Sequence, residues 1–436
     1  MRSPQMKNIF VVGLDDFHLA QLEAVEGADN YRFHSLISYR EIKCGSDFPV
    51  RELLEHTAQT LTAFDGTVDA VIGYWDFPVS TVLPIIRRQV GLGGPSLVAV
   101  LKCEHKYWSR LIQEEVVPEL IPPFQKINPF AAEAPTQCSL DYPFWIKPVK
   151  SVLSHLGFLV RNREEFEQSL EKIRSHIGRY AEPFNLILNH AELPAEIERV
   201  DGYYCIAEGL ISRGRQCTLE GYVCKGRVQV YGVIDSLREG RHCSSFSRYQ
   251  YPSSLPPEVQ QRMIEATAKV LLRTGYDQAP FNIEFYWDEE QDSIHLLEIN
   301  TRISKSHCSL FKMVDGEYHH QVMIDLALGR EPSFPHRQGE FALAAKFMLR
   351  RHRDGRVVRV PDRAQIEELK QTFPGSELLL NVCPGIRLSE LLDQDSYSYE
   401  LADLFIGAAG PRQLEQRYQA ALSLLPFEIE ERGGTA

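Results

Sequence analysis

Over residues 7–90, short apolar runs alternate with stretches of helical spacing. Residues 7–13 (KNIFVVG), 31–38 and 68–74 (VDAVIGY) read as strands, and 14–25, 50–64 and 79–90 as helices. Strand alternating with helix predicts a doubly wound parallel sheet. The first strand-to-helix turn is GLDDF and not GxGxxG, which argues against a dinucleotide site there. The turn 91–95 (GLGGP) breaks the pattern and marks a boundary. Residues 97–115, carrying CEHKYW, read as one helix, and a proline-dense stretch at 118–123 opens a loop that runs to 139. Residues 142–149 (YPFWIKPV) form a strand with Lys147 inside its apolar run; 157–160 is a short strand, and 164–180 an amphipathic helix. Residues 181–201 lack a pattern and read as an insertion or linker.

Residues 203–207 read as a strand ending at Glu208, followed by the connector GLISRGRQ. Residues 217–224 and 227–234 alternate around Lys225 and Gly226, which predicts a hairpin. The segment 238–251 (REGRHCSSFSRYQY) is basic and irregular and is expected to be a loop. Helices are expected at 256–274 and 319–328, the second stopped by Gly329. Beyond them, strands at 342–349, 356–360 and 377–382, a helix at 363–372 and another from Pro411 make a small α+β subdomain.

Most informative is 281–304, FNIEFYWDEEQDSIHLLEINTRIS. Two alternating runs flank an acidic, turn-like linker, the pattern of a β-hairpin. If the hairpin is symmetric about Gln291, Glu284 faces Glu298 and Asn282 faces Asn300. Residues directly opposed across a strand pair share a face, so these four would crowd one side. Ile283, Phe285, Leu297 and Ile299 would fill the other. Opposed carboxylates repel unless a cation lies between them, and oxygen-only ligands suit Mg²⁺. An edge hairpin with a solvated polar face satisfies the same spacing.

At 436 residues the length corresponds to roughly three domains. A net charge of −12 argues against nucleic acid or an anionic membrane as the main partner. Nine cysteines without CxxC or Cys/His ligand spacing point to reduced thiols in a cytoplasmic protein and not to a zinc site. No apolar run is long enough to span a bilayer. The small-molecule partners are therefore the ones the motifs must identify.

Taken together, the hairpin, the strand lysine and the order of elements resemble the ATP-grasp superfamily, in its carboxylate–amine ligase type. The resemblance covers nearly the whole chain. It implies a mixed α/β and α+β architecture: a Rossmann-like domain (1–95), two nucleotide-gripping lobes (96–206 and 207–340) and a C-terminal α+β subdomain (341–436). It implies ATP and Mg²⁺, with two ions expected and Mn²⁺ able to substitute. Glu284, Glu298 and Asn300 match the metal ligands in the family's E…ExNxR pattern. Arg302 matches a contact to the γ-phosphate or the substrate carboxylate, and Lys147 and Lys106 match the phosphate lysines. Glu208 and Ile211 match the hinge that reads adenine; Gln216 stands near the family's ribose glutamate. Glu220 reads as a plain polar-face residue. Homodimers are common among such enzymes.

Two departures narrow the reading. The stretch after Lys147, KSVLSHLGFLV, keeps one glycine where many members have a glycine-rich phosphate loop; Ser154 and its neighbours would supply polar groups instead. The INTR stretch is shared with biotin carboxylase, but Ser306 stands at the glutamate that serves there as the bicarbonate base, and a serine cannot replace it. His307 follows it. Arg241, His242, Arg248 and Tyr249 offer cations and an aromatic for a carboxylate-bearing substrate. The expected function is ligation of a carboxylic acid, an amino acid or related metabolite, to an amine through an acyl phosphate. A carboxylate–thiol ligase and an ATP-binding regulatory protein with little turnover are the alternatives.

Overall fold

The computed structural model describes residues 6–43, 48–152, 155–211, 213–239, 245–391, 394 and 398–431. Two compact units divide the chain, neither of them contiguous: Met1–Tyr231 with Pro256–Lys305 and His320–Ser333, and Gly232–Leu255 with Ser306–His319 and Phe334–Ala436.

In the first unit, β1 (Lys7–Leu14), β2 (Tyr31–Ser38) and β3 (Ala70–Ile72) pair in parallel in the order β2-β1-β3. Ile9 to Val12 and Ala70 to Ile72 are buried on both faces, as a parallel sheet covered by helices requires. Helices Val50–Ala63 and Val79–Gln89 supply part of that cover through Leu53, Leu54, Val82 and Ile86. The expected single helix over 97–115 is two, Leu97–Glu104 and Lys106–Val116. His105 breaks it with φ −82° and ψ 100° and caps the second helix, its ring accepting from the Trp108 N–H. Burial holds the His105 imidazole down to about 4, so the ring is neutral, and its Nε2 donates to the Val200 carbonyl.

A four-stranded antiparallel sheet follows, in the order β4-β7-β5-β6, from β4 (Phe124–Ile127), β5 (Phe144–Pro148), β6 (Phe158–Val160) and β7 (Cys205–Gly209). The patternless 181–201 region is in fact largely helical: Gly178–Leu188 and Ala195–Glu198. Gly178 and Pro183 disguise the first, yet Tyr180, Phe184, Ile187 and Leu188 form its buried stripe. The third sheet of this unit contains β8 (Arg215–Cys224), β11 (Ala279–Asp288) and β12 (Ser293–Asn300), with β11 central. Strand β9 (Arg227–Glu239) pairs with β8 and continues into the second unit.

There β9 is followed in the sheet by β10 (Ser245–Tyr251), β13 (Leu343–Arg351), β16 (Tyr399–Ala408) and β15 (Glu377–Leu380), while β14 (Arg356–Arg359) pairs with β17 (Glu428–Glu430). Strand β10 corrects the loop expected at 238–251. Its inner residues are half-buried and, apart from Phe246, carry polar groups, so no apolar alternation announces it, but it pairs on both sides. The helices Arg363–Thr372 and Pro411–Leu424 cover this sheet through Leu369, Leu414 and Ala421.

Candidate active site

The β11–β12 hairpin has the register that symmetry about Gln291 gives: Asn282 opposite Asn300 and Glu284 opposite Glu298. Strand β8 extends the polar face, with Glu220 beside Asn282 and Thr218 beside Glu284. One expectation for the apolar face is corrected. A bulge between Glu284 and Phe285 sets Phe285 against Leu296, so Leu296 is buried and Leu297 is only half-buried. The bulge turns Leu297 toward a recess of about 240 Å³ that it lines with Lys106, Lys147, Glu208 and Glu298.

Each opposed carboxylate is held by a donor. Lys106 Nζ lies 2.7 Å from Glu298 Oε1 and 3.0 Å from the Ser151 carbonyl. Gln216 donates to Glu284 Oε2 at 2.8 Å and accepts from the Tyr286 hydroxyl at 2.9 Å. Burial alone would raise the Glu298 carboxyl; Lys106 and Lys147 outweigh it and hold the group below its ordinary range. Asn300 donates to Asn282 at 2.8 Å, which fixes the amide and leaves its oxygen as an acceptor.

Glu208 is the second centre. Arg110 Nε lies 2.6 Å from one of its oxygens and Lys147 Nζ 2.7 Å from the other. Burial works against the charge, but the two cations prevail and bring the carboxyl down to about 2. Arg110 also donates to Gln113 and to the Leu296 and Leu297 carbonyls at 2.9 and 3.0 Å, clamping β12 at the bulge. Lys106, Ser109, Arg110 and Gln113 sit on one side of helix Lys106–Val116, at i, i+3, i+4 and i+7, and all four are buried.

A third cluster surrounds Arg302. Its Nη2 lies 2.8 Å from Asp76 Oδ2. Lys150 pairs with Glu104 and lies 3.8 Å from Asp76, and Glu104 also accepts from the Thr301 hydroxyl at 2.6 Å. Burial would raise Asp76, yet Arg302 and Lys150 hold it well below the usual carboxylate range. Glu220, expected to be a plain polar-face residue, is fully buried and accepts from the Ser304 N–H at 3.2 Å. Burial pushes its carboxyl well above the ordinary value.

Lys106, Lys147, Glu208, Gln216, Glu284, Glu298, Asn300 and Arg302 therefore belong to one unit, on the helix after His105 and on β5, β7, β8, β11 and β12 or just beyond. Lys106 is buried, so it is no solvent-facing helix lysine. Ile211 is half-buried beyond β7. Ser154, Arg241 and His242 lie outside the described residues. Arg248, Ser306 and His307 belong to the second unit. There Lys346 donates to the Ser306 hydroxyl at 3.2 Å, His307 packs edge-on to Tyr249, and Arg248 approaches Glu415 at 3.9 Å. Arg110, Glu104, Lys150, Asp76 and Glu220 escaped the sequence reading. For Arg110 a signal exists: the polar stripe at helical spacing in KYWSRLIQ.

The site fits a divalent cation in one respect that the structure shows directly: a positive group, the Lys106 ammonium, already sits on one of two opposed carboxylates. Among the described residues no three His, Cys, Asp or Glu side chains converge on a point. A metal on Glu284 and Glu298 would draw its other ligands from Asn300, phosphate oxygens and water.

Comparison with known proteins accords with this geometry. A family model described as an ATP-grasp domain matches residues 140–309. Among solved structures, the L-amino acid ligase from Bacillus licheniformis is 16% identical, with a TM-score of 0.69 over 98% of this chain and 100% of that one. Biotin carboxylase from Campylobacter jejuni is 15% identical, with a TM-score of 0.64 over 98% of this chain and 93% of its own. Carboxyaminoimidazole ribonucleotide synthase from Aspergillus clavatus, complexed with ATP, is 15% identical, with a TM-score of 0.63 over 96% and 98%. The search of curated proteins gives no match. At these identities what the structures share with this chain is the fold. Residues 140–309 are an ATP-grasp domain, and the chain that contains them has the ATP-grasp fold.

Proposed function

We propose that this chain is an ATP-dependent ligase that joins a carboxylic acid to an amine, releasing ADP and phosphate. The observation that carries the reading is the opposed pair Glu284 and Glu298, of which Glu298 lines one recess with Lys106 and Lys147. An oxygen of the acid attacks the γ-phosphorus of ATP; the bond to the β-phosphate oxygen breaks, and ADP leaves. The amine nitrogen then attacks the acyl carbon, the carbon–oxygen bond to phosphate breaks, and the departing phosphate takes the amine's proton.

Mg²⁺, one or two ions held by Glu284, Glu298 and Asn300, would screen the phosphate oxygens when bound, and Mn²⁺ would substitute. Lys106 and Lys147 position the phosphates, and Arg302 offsets charge on the transferring group. Gln216, which stands near the ribose position, also orients Glu284 through its amide N–H while its oxygen accepts from Tyr286. No side-chain nucleophile is required. Ser306 offers no carboxylate base, which weighs against bicarbonate as the acid.

The test is ADP release with Mg·ATP across a panel of acids and amines, headed by amino acids because the Bacillus licheniformis neighbour is an L-amino acid ligase. Amine-dependent ADP formation that Glu298→Gln abolishes supports the reading. ATP binding without turnover for any pair favours the regulatory alternative, and thiol-dependent turnover the thiol ligase.

A further inference from the structure

Away from the carboxylate face, the first unit has a second, small recess. Ser80, Leu83, Pro84 and Arg87 line it from helix Val79–Gln89, at i, i+3, i+4 and i+7, so one helix face forms a wall. Thr301 and Arg302, just beyond β12, also line it, together with apolar Val100 and Met323.

Three donors here lack what buried donors ordinarily have. Arg87 is 8% exposed, and no carboxylate among the described residues pairs with it; its Nε donates to the Val71 carbonyl at 2.8 Å. Burial lowers its guanidinium to about 10, which leaves it charged at neutral pH. Ser80 is 2% exposed, and its hydroxyl has no hydrogen-bond partner among the described residues. Arg302 uses its Nη groups on Asp76 and the Ile303 carbonyl, while its buried Nε has no partner among the described residues. A buried cation without a counter-charge and orphaned donors are costly, and an anion offsets both. The turn after the helix accommodates the guanidinium: Arg87 Nη1 lies 3.0 Å from where a Cβ at Gly94 would stand.

We infer that this recess is a binding site for a small carboxylate, held by the Arg87 guanidinium, the Ser80 hydroxyl and Arg302 Nε. The planar guanidinium fork matches a carboxylate. Leu83, Val100 and Met323 suit the short apolar end of such a ligand better than a hydrated phosphate. Pro84 has no N–H to give the Ser80 carbonyl, so that oxygen is open to a water or to a ligand N–H. The site does not depend on the ligase reading. Its ligand is either a free small acid or the carboxylate of the acid substrate.

Calorimetric titration of acetate into the full chain tests the site without turnover, with Arg87→Met, Arg87→Lys and Ser80→Ala measured beside wild type and ATP binding as the check on folding. Saturable acetate binding that Arg87→Met weakens at least tenfold and Ser80→Ala several-fold, with ATP binding retained, is expected. Acetate binding that is absent from wild type, or equal in wild type, Arg87→Lys and Ser80→Ala, overturns the inference. Should Arg87→Met fail to fold, the last two variants decide. With binding shown, acetate that raises the KM of the acid identifies the substrate's carboxylate as the natural occupant; acetate that changes the rate alone identifies a free acid.

Discussion

Replacing Glu208 with Gln tests how the site is held together. The side chain is 6% exposed and bears two ion pairs, to Arg110 and Lys147. Lowering its carboxyl from the ordinary 4.5 to about 2 corresponds to about 3 kcal/mol of folding stability. Because the folded value is depressed, this stability is complete above the unfolded value near 4.5 and is lost as pH falls toward 2. At pH 3 about 1.4 kcal/mol of it remains. Glu208→Gln keeps the shape and removes the charge, leaving the buried Arg110 and the half-buried Lys147 without this counter-charge, so the cost at pH 7 should be about 3–5 kcal/mol. All four tryptophans, Trp75, Trp108, Trp145 and Trp287, lie in the first unit, so urea unfolding followed by tryptophan fluorescence reports on the unit in question. The gap between wild type and variant should narrow by about half or more between pH 7 and pH 3. A cost below about 1 kcal/mol at pH 7, the value of an exposed pair, or a gap that is flat with pH, would refute the account.

Gln216→Leu leaves Glu284 without its orienting donor and should raise the Mg²⁺ concentration needed for half-maximal ADP release about 10-fold or more, with ATP affinity little changed. Replacing any single cysteine with Ser or Ala should leave kcat within a few fold. Burial raises the Cys103 thiol to about 12, while Cys383 is exposed, so iodoacetamide should label Cys383 before Cys103, with activity retained.

The parts of the fold that could be read in the sequence are those whose side chains repeat a burial pattern. The parallel strands β1 and β3 carry apolar runs, and the β11–β12 register follows from alternation about one turn. The bulge at Leu297 does not follow, because an extra residue leaves composition unchanged and shifts only the face. Strand β10 was hidden for the opposite reason: its half-buried residues, Phe246 apart, carry polar groups. In the site, Glu284, Glu298 and Lys147 were visible because each is a charge within an apolar rhythm. The partners that set their charge, Arg110, Asp76 and Lys150, come from distant segments, and no local spacing links Arg110 to Glu208 across 98 positions. Lys106 lay between these cases. Its helix was legible, but its burial depends on Glu298, 192 positions away.

That ion pair has a consequence for the order of binding. The Lys106 ammonium sits 2.7 Å from Glu298 Oε1, so a cation that takes this oxygen must displace the lysine. The lysine is 9% exposed, so its displaced charge needs a compensating anion, and phosphate is the one the ATP-grasp reading provides. Metal and nucleotide should each bind better in the presence of the other, by the same factor. Lys106→Met separates the two effects by sign. With the competing ammonium gone, Glu298 loses its nearest counter-charge, and Mn²⁺ without nucleotide should bind several-fold more tightly, measured by the loss of free Mn²⁺ signal in electron paramagnetic resonance. Glu298 is 34% exposed, so water can solvate it and the variant should fold. ATP affinity should fall by roughly tenfold or more, as loss of a charge-assisted contact implies. If Mn²⁺ and ATP both bind more weakly in Lys106→Met, the lysine supports the metal site and does not compete for it, and the displacement argument fails.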